Sequence, residues 1–170
     1  MIAVITLSKK FFGTHPKAGE PTDFRRKSLE REKIHTCRVN FEYWRDKIDK
    51  IKNVGGVLSL RQWSGKPYNS EQELVVDIPI EEVGVQQLKM MLSVNPDGSG
   101  KSVYVDKISR YITARVDDKP VDMAVLAKND GLEMADYIDW FLPAFKSKSK
   151  EQPKISLRTF TVIQFTSFRY

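Results

Sequence analysis

Residues 33–38 read Lys33-Ile34-His35-Thr36-Cys37-Arg38 and separate a polar, irregular segment from an aromatic-rich segment with helical periodicity. In an extended strand successive side chains point to opposite faces, so Thr36 and Arg38 lie on one face and Lys33 lies where the strand begins. The string therefore predicts a small pocket that receives an amine, a hydroxyl and a guanidinium. An amine beside a hydroxyl suits activation of that hydroxyl, and Arg suits a planar or anionic ligand. The alternative interpretation is an exposed strand edge with ordinary surface charge.

A second polar face follows on the segment Val57 to Trp63, which predicts another strand. Alternation places Ser59, Arg61 and Trp63 on the same face, which is polar enough to line a cavity. A Trp-Ser-Gly-Lys-Pro-Tyr turn then ends at Tyr68. We predict that Arg61 joins the pocket of the Lys33 string and that Trp63 or Tyr68 forms its wall.

The whole chain predicts one α+β domain spanning residues 1–170, because it shows no internal repeat and no second core. Strands are predicted near residues 2–7, 33–39, 57–63, 73–79 and 155–168, and helices near 24–31, 41–52, 121–127 and 133–145. Residues 84–94 predict a further strand, joined through a turn at 95–100 to residues 103–105. At this length a chain buries roughly two-thirds of its unfolded surface, so it needs neither disulfides nor a metal to fold.

Composition limits the classes of function. The single cysteine, Cys37, excludes an internal disulfide, and its expected role is that of a small, half-buried strand residue. The two histidines, His15 and His35, lack the paired spacing of zinc or iron sites, so no metal and no cofactor is expected. No apolar run approaches 18 residues and no charged segment precedes a long apolar one. We therefore expect a cytoplasmic protein with neither a signal peptide nor a membrane span.

Charge is unevenly distributed along the chain. Residues 1–70 carry 15 Lys and Arg against 7 Asp and Glu, whereas residues 71–146 carry 8 against 14. A basic first half that contains the Lys33 string suits a phosphate-bearing ligand or RNA, because Lys and Arg neutralise a nucleic-acid backbone. The alternative is a solvated surface on which charges distant in sequence balance in space. The sequence carries no signal for the oligomeric state.

Two further motifs accompany the Lys33 string, in an order and spacing typical of one family. Ser59 to Tyr68 closes a strand, and Leu126-Ala127-Lys128-Asn129-Asp130-Gly131-Leu132 contains an Ala-x-x-Asp-Gly element ahead of Asp139-Trp140-Phe141. With the Lys-x-x-Thr-x-Arg string, these motifs resemble the ASCH family of the PUA-like superfamily over nearly the whole chain. The resemblance implies a PUA-like mixed β-barrel with flanking helices.

The resemblance also implies a reaction. One bacterial branch of the ASCH family comprises amidohydrolases that remove the acetyl group from N4-acetylcytidine with a Lys, a Thr and a Glu. The Lys and Thr correspond to Lys33 and Thr36, and the acid corresponds to Asp130, which is one methylene shorter than Glu. Arg38 and Arg61 would stabilise the oxyanion or hold a ribose or phosphate.

Two other functions remain open on the sequence. A non-catalytic RNA or modified-nucleotide binding module would stack a base on Trp63 or Tyr68 and hold phosphate with Arg38 and Arg61. A protein-interaction domain would use the Lys33 string only structurally. A carboxylate within reach of Lys33 and Thr36 favours hydrolysis, and a distant one favours binding.

Overall fold

A computed structural model describes residues 1–94, 101–105, 108–146 and 154–170 of the chain and shows a mixed α+β fold. The elements follow in the order β1 (Ile2–Leu7), α1 (Phe24–Leu29), β2 (His35–Arg38), α2 (Phe41–Val54), β3 (Val57–Trp63), β4 (Gln72–Pro79), β5 (Gly84–Ser93), β6 (Lys101–Val105), β7 (Ile108–Val116), β8 (Lys119–Val121), α3 (Met123–Asn129), α4 (Met134–Phe141), a 3-10 turn (Leu142–Phe145) and β9 (Ile155–Gln164).

The described strands form two sheets. The smaller sheet has the order β1-β3-β4, with β1 parallel and β4 antiparallel to β3. The larger sheet has the order β2-β9-β5-β7-β6, and β8 pairs with β7. Its strands are antiparallel throughout, and Thr36 of β2 lies opposite Ile163 of β9. The Lys33 string and the Arg61 strand therefore belong to different sheets.

The predicted closed barrel is wrong. Among the described residues, no backbone ladder joins β1 or β4 to the larger sheet, so neither sheet closes on itself. At the end of β2, a guanidinium nitrogen of Arg38 donates to the carbonyl oxygen of Thr6 on β1 at 2.8 Å. A side-chain hydrogen bond thus connects the two sheets at a point where a barrel would need a strand ladder.

The individual elements follow the predicted pattern more closely. The helix predicted near 41–52 runs over Phe41–Val54, and the Asn40 side chain accepts a hydrogen bond from the amide of Tyr43 at 3.2 Å, as expected of an N-cap.

The predicted pairing of residues 84–94 with 103–105 is wrong, because β7 lies between β5 and β6. The turn predicted at 95–100 lies outside the described residues.

The buried apolar side chains of both sheets and the helices form one core. Helix α2 contacts β1, β5 and β9, so it packs against both sheets. Its Ile48 and Ile51 are fully buried, and each such side chain stabilises the fold by roughly 1.5–3 kcal/mol relative to exposure. None of the helices in the described part of the chain is long and apolar enough to cross a membrane.

Candidate functional site

Lys33 and Asp130 are in direct contact inside the protein. The Lys33 ammonium, only 1% exposed, contacts Asp130 Oδ1, donates to the Asp130 carbonyl oxygen at 2.7 Å and lies 4.1 Å from the centroid of the Phe24 ring. Burial lowers the pKa of this ammonium, and the carboxylate of Asp130 opposes that shift. The amine of the string and the acid of the later motif therefore form one buried ion pair.

Backbone contacts hold this pair in place. Asp130 caps the C-terminal end of α3, and the amide of Ile34 donates to the carbonyl oxygen of Asn129 at 2.8 Å. On the other side, the amide of Phe165 donates to the carbonyl oxygen of Ile34 at 2.7 Å. The start of β2 is thus fixed between the end of α3 and the end of β9, which positions Lys33 against Asp130.

Thr36 and Arg38 lie on the face predicted for them. The Thr36 hydroxyl accepts a hydrogen bond from the Arg38 guanidinium at 2.9 Å. Both residues line a small cavity together with Asp130, Phe24 and Trp140. About 20 Å³ is available there to a water-sized molecule, which is room for about one water. Asp130 and Thr36 therefore border the same small space.

The alternate face of β2 carries His35 and Cys37, which are buried beside Asp130. The Tyr170 hydroxyl lies 3.0 Å from His35 Nδ1 and accepts a hydrogen bond from the Asn129 side chain at 3.0 Å. Burial lowers the pKa of His35 to about 4, so its imidazole is neutral at pH 7. Burial also raises the pKa of the Cys37 thiol, whose sulfur lies 3.4 Å from the Tyr137 hydroxyl.

A larger groove adjoins the small cavity and shares Leu7 and Ser8 with it. Its volume is about 810 Å³, within the range of small-molecule sites. The described residues that line it include three lysines, four aromatic residues and no acidic residue: Lys9, Lys10, Phe11, Phe12, Trp63, Lys66 and Tyr68. The groove therefore combines positive charge with aromatic surface.

One wall of the groove holds an exposed aromatic ring in an unusual conformation. Tyr68 is 89% exposed, its backbone φ is +65°, and its ring centroid lies 5.4 Å from that of Trp63. A bulky residue at positive φ is uncommon, and such strain clusters at ligand-binding segments. Tyr68 and Trp63 thus present a ring pair to the groove.

Comparison with known proteins gives no further guide to the site. The chain matches no protein-family model, no curated protein and no solved structure. The function is therefore inferred from the chemistry and geometry of the residues described above.

The predicted site residues divide between three places. Thr36, Arg38 and Asp130 line the small cavity, Lys33 lies behind it against Asp130, and Trp63 and Tyr68 line the groove. Arg61 lies elsewhere on β3, where its guanidinium donates to the Ser59 hydroxyl at 3.2 Å. It is not among the described residues that line either cavity.

Several residues of the site were not singled out on the sequence. Lys9, Lys10 and Phe12 lie in the irregular segment before α1, whose clustered Gly and Pro residues indicate a loop beside the site but not its direction. Tyr170 stands at the far end of the sequence, after the last strand, and no local pattern connects it with His35. His35 and Cys37 could have been placed opposite Thr36 by alternation alone.

The backbone of Gly131, the residue after Asp130, approaches the Lys33 side chain closely. Its φ is +74°, and a Cβ there would lie 3.0 Å from the Cβ of Lys33. We expect Gly131→Ala to lower the free energy of unfolding by at least about 1 kcal/mol, because alanine is strained at positive φ. Urea denaturation followed by circular dichroism measures this loss. Gly13→Ala is the matched control, because its Cβ would meet no atom within 4 Å, and an equal loss in both variants would contradict the assignment.

Proposed function

We propose that this protein is an amidohydrolase that removes the acyl group from an N-acylated nucleoside, with the ASCH-like arrangement of Lys33, Thr36 and Asp130 as its catalytic centre. The observation that carries the proposal is the buried contact of Lys33 with Asp130, a residue that lines the same cavity as Thr36. An acid, a hydroxyl and a guanidinium around a space for one water can supply the proton transfer and the oxyanion stabilisation that speed the hydrolysis of an amide.

The reaction begins with a water molecule held in the small cavity by the Thr36 hydroxyl. Its oxygen bonds to the acyl carbon while its proton passes to the Asp130 carboxylate. The electron pair of the carbonyl bond moves to the carbonyl oxygen, and the Arg38 guanidinium stabilises this oxyanion. Collapse of the oxyanion breaks the C–N bond, and protonated Asp130 returns the proton to the leaving nitrogen. The products are a carboxylic acid and the free amine of the base.

Lys33 acts through Asp130 in this scheme. It is not among the described residues that line the cavity, and its ammonium contacts the carboxylate from the buried side. A cation at that position holds one carboxylate oxygen and fixes the direction of the other. Lys33 is therefore a positioning residue, and Thr36, Arg38 and Asp130 touch the substrate or the water.

The groove supports a nucleoside as the substrate class. An aromatic ring pair offers a stacking surface to a base, and every base presents a π-face to such a ring. The lysines at positions 9, 10 and 66 would meet phosphate if the nucleoside is part of a nucleotide or an RNA. Because the groove shares Leu7 and Ser8 with the small cavity, a base bound in the groove would direct an exocyclic acyl group toward that cavity.

A panel of N-acylated nucleosides tests the proposal. The purified protein is incubated with N-acetyl derivatives of cytidine, adenosine and guanosine, and release of the free nucleoside is followed by chromatography. We expect turnover of at least one of them, and Thr36→Val should reduce kcat/KM by at least about a hundredfold, because the water loses its oriented partner. Thr159→Val is the control, since Thr159 is exposed on the neighbouring strand β9. Equal activity of the wild type and Thr36→Val would contradict the proposed role of Thr36.

The groove also favours a second candidate, a binding module for RNA or a modified nucleotide without catalysis. Its charge and exposed aromatic rings are sufficient for binding, whether or not the small cavity is reactive. The same panel distinguishes the two candidates when thermal stabilisation is measured alongside turnover. Stabilisation by a nucleoside or an oligonucleotide, with no product released from any member of the panel, would establish the binding module instead.

A further inference from the structure

Three potential metal ligands meet at the buried side of the site. A ring nitrogen of His35, Sγ of Cys37 and a carboxylate oxygen of Asp130 lie within 4.8 Å of one another, and all three residues are buried. Zinc ligands stand roughly 2.0–2.3 Å from the ion, so tetrahedral ligands lie about 3.5 Å apart. Closing this group around an ion therefore requires side-chain shifts on the order of 1 Å.

A second observation points to a ligand at the same place. His35 is fully buried, yet its Nε2 has no hydrogen-bond partner among the described residues. This nitrogen is directed at Oδ2 of Asp130, 3.8 Å away, which is beyond hydrogen-bonding distance. Leaving a buried polar atom unpaired is costly, so a group that occupies this gap would stabilise the site.

The surroundings of His35 match those of a metal-binding histidine. The Tyr170 hydroxyl, which Asn129 holds, lies 3.0 Å from Nδ1 and can accept a hydrogen bond from it. A hydrogen bond from Nδ1 to an acceptor leaves the lone pair of Nε2 free and fixes the plane of the ring, as metal-ligating histidines commonly require. Tyr170 thus acts as an outer partner that orients the candidate ligand.

We infer that His35, Cys37 and Asp130 form a binding site for a thiophilic divalent cation, with Zn²⁺ as the ion that fits the ligand set best. One imidazole, one thiolate and one carboxylate are the ligand types that zinc accepts, whereas Mg²⁺ and Ca²⁺ select oxygen ligands. Cys37 and Asp130 also line the small cavity. A water in this cavity would be available as the fourth ligand.

The two oxygens of Asp130 have different neighbours in this arrangement. Oδ1 contacts the ammonium of Lys33, and Oδ2 faces His35. A dication at Oδ2 repels that ammonium and competes with it for the carboxylate. Zinc would therefore weaken the contact of Lys33 with Asp130, and the site would link metal occupancy to the proposed reaction. Metal binding itself does not depend on whether the protein hydrolyses amides.

Cobalt provides a spectroscopic test, because Cys37 is the only cysteine in the chain. The full-length protein is freed of metal with a chelator and titrated with Co²⁺ and then with Zn²⁺. We expect one ion per chain and a thiolate-to-cobalt charge-transfer band that added Zn²⁺ abolishes. Absence of that band, or of binding with one-to-one stoichiometry, in the folded wild-type protein would overturn the inference without reference to any variant.

Variants then assign the ligands. We expect Cys37→Ser to abolish the charge-transfer band, His35→Gln to weaken zinc binding by at least tenfold, and Tyr170→Phe to weaken it by about 10–100-fold through the loss of the outer partner. His15→Gln is the matched control, because both ring nitrogens of His15 already have partners, the carbonyl oxygen of Asp136 and the amide of Lys17. Zinc affinity that falls equally in His15→Gln and His35→Gln would overturn the assignment of His35. Circular dichroism confirms that each variant is folded, and the rate of amide hydrolysis is measured separately.

Discussion

Replacing Lys33 with Met is expected to lower the free energy of unfolding by about 3–5 kcal/mol. Met fills much of the same volume, so the change removes the charge and leaves the packing nearly intact. The carboxylate of Asp130 then remains buried without its cationic partner, and a buried unpaired charge is among the most costly features a folded protein can carry. Urea denaturation at pH 7 measures this loss.

A double variant separates the cost of the unpaired charge from the value of the lysine itself. In Lys33→Met with Asp130→Asn no charge remains in the pair, so most of the lost stability should return. A coupling free energy of this sign shows that the two side chains act as one unit. If the double variant were as unstable as Lys33→Met, or less stable, the cost would lie in packing and the prediction would be contradicted.

An exposed ion pair provides the comparison. Lys89 on β5 contacts Asp118 Oδ1 at 2.7 Å, which is a normal ion-pair distance, but both side chains reach solvent. Water and salt screen such a pair, so Lys89→Met should change stability little. The same substitution at the two lysines therefore tests burial rather than the presence of an ion pair.

The local elements of the fold were accessible from sequence because their signals lie within a few residues. Alternation over Val57 to Trp63 predicted β3, and apolar residues at intervals of three and four predicted α2, with Asn40 as its cap. Gly131 follows α3 with a positive φ, a conformation that glycine commonly adopts after a helix. In each case the pattern reports which face is buried or which backbone conformation is needed.

Sheet organisation was less accessible because it depends on pairing between distant segments. Strand β7 was not predicted, although Ile112, Ala114 and Val116 alternate in burial. Without β7, residues 84–94 were paired with 103–105, which in fact form the edge strand β6. The same limitation produced the barrel, since no local pattern shows that Arg38 bonds to β1 by its side chain.

The candidate site was predictable from the sequence only in part. Lys33 and Asp130 are 97 residues apart, and no periodicity relates them. Only the order and spacing of the two motifs suggested that they meet, and the structure places them in contact. Arg61 shows the limit of the approach, because same-face placement with Trp63 on β3 does not specify that both side chains reach one cavity; Trp63 lines the groove, and Arg61 is not among its described lining residues.

Replacing Asp130 with Asn is expected to reduce the turnover of an N-acylated nucleoside by at least about a hundredfold, because an amide cannot accept the proton of the attacking water. Asn keeps the shape of the side chain, so the KM should change by no more than a few fold if the loss is confined to catalysis. Steady-state kinetics on the substrate identified in the panel measures kcat and KM separately. A variant that kept wild-type kcat would exclude Asp130 from the reaction.

Asp136→Asn is the control for Asp130→Asn, since Asp136 is also buried and paired, with Lys17 at 2.7 Å, but does not line the small cavity among the described residues. Its kcat should stay within about twofold of the wild type, because it takes no part in proton transfer.

Asp130→Glu gives a sharper test of geometry. The sequence alone suggested that Asp130 is too short, in which case Glu would raise activity. In the structure Asp130 already reaches Lys33, and the cavity beside it has room for about one water. An added methylene would therefore disrupt the ion pair or fill the space for that water. We therefore expect Asp130→Glu to lower kcat, on the order of a hundredfold if the carboxylate moves by 1 Å, and a rise in kcat would show that the active arrangement has Asp130 farther from Lys33 than in the structure described here.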